Sequence, residues 1–172
     1  MQLLKYSFFM MGLLFILPYS WSQSTTHLDE DEHLNQEIHE HHHGKHEIGL
    51  ANSLVYFVKE KEVAYGLHFH YMQQIGHSKF GWGLAYERVF DEHKHNTFGV
   101  VGSFRPIEPL SFSLSPGLSF EDAHPDEWHF SFHAETTYEF AINDFHIGPL
   151  LEFAVDPEDY HISFGVHFAY SF

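Results

Sequence analysis

Tyr160-His161-Ile162-Ser163-Phe164-Gly165-Val166-His167-Phe168-Ala169-Tyr170-Ser171-Phe172 decides the fold class. Every even position is large and apolar; the odd positions are His, Ser, Gly and Ala. Strict alternation of this kind puts one set of side chains on each face of a β-strand and is incompatible with an amphipathic helix.

The same period-two pattern runs back through the chain to Ile48. Leu50, Leu54, Tyr56 and Val58 alternate with Gly49, Ala51, Ser53 and Val55. Val63 to Tyr71, Phe80 to Phe90, Leu110 to Phe120, Trp128 to Phe140 and Phe145 to Phe153 repeat it, and Phe98, Val100 and Phe104 make a weaker instance. Eight strands follow. Pro116 and Pro149 fall inside strands, where a missing ladder donor predicts local bulges.

The polar faces decide the environment. A soluble sandwich or lipocalin turns long charged side chains to water. Here the polar faces carry Gly, Ala, Ser, His and Glu, with almost no Lys or Arg. Small residues with a few polar ones suit the crowded interior of an eight-stranded barrel, with the aromatic faces turned to lipid. A closed barrel also satisfies the backbone hydrogen bonds that lipid cannot. The predicted fold is an all-β, eight-stranded antiparallel up-and-down transmembrane barrel. With the N-terminus in the periplasm, the outer loops are 59–62, 91–96, 121–127 and 156–159. The periplasmic turns are 73–79, 105–109 and Asn143-Asp144.

Two segments precede the barrel. Residues 1–22 read as a secretory signal peptide: Lys5 opens it, Phe8 to Leu17 is apolar, and Ser20-Trp21-Ser22 precedes a cleavage site before Gln23. Residues 23–47 are too polar to pack and read as a flexible periplasmic segment rich in His, Asp and Glu, with seven His. The barrel then occupies 48–172.

Composition removes whole classes of function. With 24 acidic against 8 basic residues and a net charge of −16, nucleic acid is not a partner. Zero Cys excludes disulfides, thiolate metal sites and cysteine nucleophiles.

With its aromatic alternation and terminal Phe, the segment Phe164 to Phe172 resembles the C-terminal strand of bacterial outer-membrane barrels. The region 48–172 resembles the small outer-membrane β-barrels of the OmpA/OmpX type. That resemblance implies a place in the outer membrane, contact with membrane lipid and lipopolysaccharide, and folding by the barrel assembly machinery. It implies little about activity.

Chemistry has two candidate locations. His39, His41, His42, His43 and His46 form a tract suited to Zn, Ni or Cu, since neutral imidazole is a favoured ligand of such ions. The alternative is a solvated linker. In the lumen, alternation points Glu87, His129, Glu139, His146 and His167 inward together with His68, His70, His133, Glu135 and Glu152. Arg105 is the one base placed among them. An Asn143-Asp144 turn sets Glu135 opposite Glu152, a like pair that must recruit a protonated His or a cation. His68 and His70 lie on one face of one strand, at a spacing that can share a metal. The competing reading is a hydrogen-bonded plug of His, Ser and Glu.

Three functions are carried forward. The first is a non-enzymatic barrel whose His-rich arm binds divalent transition metal beside a metal-uptake or efflux partner. The second is a structural or adhesive surface barrel with no metal role. The third is a lipid-modifying enzyme, suggested by the His-x-Ser elements His129-Phe130-Ser131 and His161-Ile162-Ser163.

Overall fold

The computed structural model describes residues 45–157 and 159–172. The described residues form the strands β1 (His46–Phe57), β2 (Glu62–Gln74), β3 (Phe80–Val89), β4 (His95–Ile107) and β5 (Leu110–Glu121). Then come β6 (His124–Tyr138), β7 (Phe140–Ile142), β8 (Phe145–Val155) and β9 (Tyr160–Ser171). Each pairs antiparallel with its neighbour. β1 closes the sheet on β9, and β6 and β7 both pair with β8 as two parts of one stave. The result is the expected closed eight-stave barrel.

Exposure follows the alternation. Along β9, every second residue from His161 to Ser171 is buried, while Tyr160, Ile162, Phe164, Val166, Phe168 and Tyr170 are exposed. The exterior is a belt of exposed aromatic and aliphatic side chains on all staves, such as Leu54, Phe69, Trp82, Phe98, Leu114, Phe130 and Phe153. A contiguous apolar surface of that extent is not tolerated in water and is matched by lipid.

Three expectations need correction. The outer loop read as 121–127 shrinks to Asp122-Ala123, because β6 starts at His124 and pairs there with Glu121 across a register shift. The stretch around Phe98 is no weaker than the rest, since β4 is 13 residues long. The prolines interrupt ladders without shifting register. Gly99 pairs with Gly117 and Gly102 with Leu114, so the β4–β5 register on both sides of Pro116 is the same. The β4–β5 shift falls instead between Phe104 and Ile107, beside Pro106.

At Pro149 the ladder opposite breaks at Tyr138 and Glu139, dividing β6 from β7. Gly148 is needed at this break, because a Cβ there would meet the Tyr138 carbonyl oxygen at 1.8 Å. Asn143 takes the left-handed conformation (φ 57°) that the tight β7–β8 turn requires, one that Asn tolerates.

The two ends of the lumen differ. The end carrying residues 45–46 and 171–172, with the turns at 75–79 and 108–109, opens into a cavity of about 280 Å³. Toward the opposite end, Val55, Phe57, Ala64 and Val89 pack as an apolar plug. Val55 contributes through the β1 face assigned to the lumen; Phe57 was not anticipated there.

Candidate functional site

The lumen between mouth and plug is filled by imidazoles and carboxylates in three tiers. Nearest the mouth, Glu139 accepts from Arg105 Nη2 at 3.0 Å and lies 2.9 Å from His167 Nδ1. Arg105 also reaches Glu47 at 3.3 Å, and Glu47 lies 3.5 Å from His70 Nε2. The His70 and His167 rings stack at 4.9 Å. Gly49 makes room for them: a Cβ there would stand 2.2 Å from His70 Nε2 and 2.7 Å from His167 Nε2.

In the middle tier the register is the one the Asn143-Asp144 turn dictates. Glu135 pairs with Glu152 across β6 and β8. His68 reaches over from β2, its Nδ1 3.3 Å from Glu135 and 3.7 Å from Glu152.

The innermost tier lies against the plug. His133 pairs with Ala154, and Ala154 with His161, so one small residue separates two imidazoles across three staves. His133 Nδ1 is 3.4 Å from Glu87 on β3 and 3.4 Å from Glu152. His161 Nε2 is 3.8 Å from Glu152 Oε1. Glu87, His133, Glu152 and His161 are all buried, with ligand atoms within 4.8 Å of one another.

The tiers differ in compensation. The mouth has a guanidinium. Among the described residues, the ion-pair partners of Glu87, Glu135 and Glu152 are imidazoles alone: His68, His133 and His161. Two buried carboxylates and a half-buried third without a fixed cation are costly unless protons or a metal ion join them.

His68, His133, Glu135 and Glu152 are thus brought together. His70 is not with them; it belongs to the mouth tier, so His68 and His70 fall into different groups. His46 is held elsewhere, bonded to the Tyr71 hydroxyl at 2.7 Å and stacked on Phe172. His39, His41, His42 and His43 lie outside the described residues. Sequence reasoning left Glu47 in the flexible segment, although it pairs with Met72 and Ser171 in the barrel wall. It also left Glu87 and His167 out of the ligand set and read His161 only as part of a His-x-Ser element. The β8–β9 register would have exposed His161, because it sets that residue beside Ala154 as the β6–β8 register sets His133.

Beyond the plug, the β3–β4 loop is organised by Asp91. It accepts from the His95 backbone at 3.1 Å and from His95 Nδ1 at 2.7 Å. Burial alone would raise this carboxyl, but the His95 hydrogen bond and charge hold it down at about 2. Asp159 likewise ties the β1–β2 and β8–β9 loops, accepting from the Lys59 backbone at 3.0 Å.

Among solved structures, the chain is similar to Neisserial surface protein A, with 10% identity, 74% of this chain and 96% of that chain covered, and a TM-score of 0.54. The fold is that of the small outer-membrane β-barrels. The chain is similar also to a de novo designed transmembrane β-barrel, at 10% identity over 72% and 94% of the two chains, TM-score 0.50. Ail of Yersinia pestis aligns at 16% identity over 74% and 96%, TM-score 0.44. No family model and no curated relative matches the sequence. The closed wall and the exposed apolar belt agree with that fold.

Proposed function

We propose that this outer-membrane barrel is a non-enzymatic binder of divalent transition metal, Zn, Ni or Cu, serving a metal uptake or efflux partner. The observation that supports it most is the lumen: buried and half-buried His and Glu side chains grouped three and four at a time with their ligand atoms within 4.8 Å. Imidazole and carboxylate together suit borderline divalent ions. The arm adds to the reading. Its His39, His41, His42 and His43 are contiguous in sequence with Lys45 and His46, which line the mouth. A tethered set of ligands raises the effective ion concentration where it is attached.

An enzymatic role has less support. Ser131 and Ser163 are buried in the lumen, away from the lipid face, and Ser163 Oγ donates to Glu152 at 3.2 Å instead of pairing with a histidine.

The test is a Zn²⁺ titration by calorimetry on the folded mature chain in detergent, with residues 39–43 intact and with their histidines replaced by Gln. Saturable binding that loses stoichiometry in the substituted chain supports an arm together with a barrel site. No saturable binding in either chain overturns the metal reading.

A further inference from the structure

We infer that the innermost tier is a discrete metal site in which Glu87, His133, Glu152 and His161 hold one tetrahedral divalent ion, Zn²⁺ fitting best, loaded only from the terminal end of the barrel. This rests on the metal-binding reading and gives it an address.

Spacing is the first support. Two ligand atoms each about 2.1 Å from a tetrahedral zinc lie about 3.4 Å apart. The two separations of 3.4 Å from His133 Nδ1, to Glu87 and to Glu152, match this and are long for hydrogen bonds; His161 Nε2 stands 3.8 Å from the other Glu152 oxygen, within reach of the same ion after a small side-chain rotation.

The second support is an orphaned ligand. His161 is only 6% exposed, yet neither ring nitrogen has a hydrogen-bond partner; Ser131 Oγ beside the group is orphaned too. Leaving buried polar atoms without a partner is costly, and a bond to an ion removes that cost. Space is the third. A small pocket of about 10 Å³, bordered by three of the four ligands (Glu87, His133 and His161) and by Ser131, accepts one water-sized particle, while Glu152 borders the larger cavity beside it. Charge is the fourth, since two ligand carboxylates neutralise a divalent ion and, among the described residues, no Arg or Lys pairs with them.

Access follows from the two ends. His133 and Glu152 also border the large cavity that opens at the mouth, whereas Phe57 lies against His161 at 5.1 Å and closes the other side. An ion can therefore enter past the His70 and His68 tiers and must leave the same way.

The probe is Co²⁺, whose visible bands are intense only in a tetrahedral field, added to the full mature chain with His39, His41, His42, His43 and His46 changed to Gln. One equivalent should give intense bands that Zn²⁺ bleaches. His161→Ala and Glu87→Gln should each weaken binding at least tenfold. Ala154→Leu keeps every ligand but fills the gap between the imidazoles, and should abolish the bands while the barrel remains folded by its gel mobility. Weak octahedral bands, or intense bands unchanged in all three variants, would overturn the site. Zn²⁺ binding confined to the unsubstituted arm would overturn it while sparing the broader metal reading; no binding anywhere would remove both.

Discussion

His133 and His161 face one another across Ala154, their ring centres 5.9 Å apart and nearly perpendicular. Neither is near the other in sequence; two hairpin registers bring them together, and the methyl side chain between them leaves the gap. Enlarging that side chain is expected to cost about 1–3 kcal/mol through overpacking. Urea unfolding of Ala154→Leu in metal-free detergent measures it, and an unchanged midpoint would contradict the packing described.

Arg105 serves two carboxylates at the mouth. Arg105→Met is expected to destabilise the barrel by about 3 kcal/mol, because Glu47 and Glu139 lose their fixed cation. Adding Glu139→Gln should return part of that loss. A double-mutant cycle with no coupling would show that the guanidinium is not their partner.

Gly49 should not tolerate a side chain. Gly49→Ala puts a methyl within 2.2 Å of the His70 ring and should lower the unfolding midpoint while displacing His70 from Glu47. Histidine ring signals in NMR spectra report the displacement directly, and unaltered His70 and His167 shifts would refute it.

The Asp91 carboxyl titrates at about 2 in the fold, below the roughly 3.9 of an unfolded chain. A depressed carboxyl contributes stability that is complete above the unfolded value and lost as pH falls through the folded one. Asp91→Asn should therefore be less stable than the wild type by about 2 kcal/mol at pH 7, with the difference gone near pH 2. Equal stabilities at neutral pH would exclude the His95–Asp91 bond as its source.

Phe57 is the plug's largest member. Phe57→Ala should open a path between the two ends and give ion conductance in a planar bilayer where the wild type gives little. Silence from the variant would mean that Val55 and Val89 seal the lumen without it.

The wall was legible in the sequence because each strand meets lipid on one face and a narrow lumen on the other, so its pattern is set by local alternation. The pairing of Glu135 with Glu152 was legible too, since a two-residue turn fixes register by counting. What could not be counted were contacts across the lumen, such as Glu87 with His133, which depend on closure and stagger. Glu47 was hidden for another reason: it sits among charged residues, and only its place in β1 distinguishes it from them. The break at Tyr138 needed Gly148 and Pro149 to be read together, one allowing close approach and the other withholding a donor.

The four innermost ligands come from β3, β6, β8 and β9, and His161 lies on the strand that completes the ring. A nascent sheet from β1 through β8 has three of them and no enclosure. Whatever the ion contributes to stability is absent from any open sheet and arrives only when the ring closes through β1 and β9. Metal should then slow unfolding without speeding folding, acting as a latch on a finished ring.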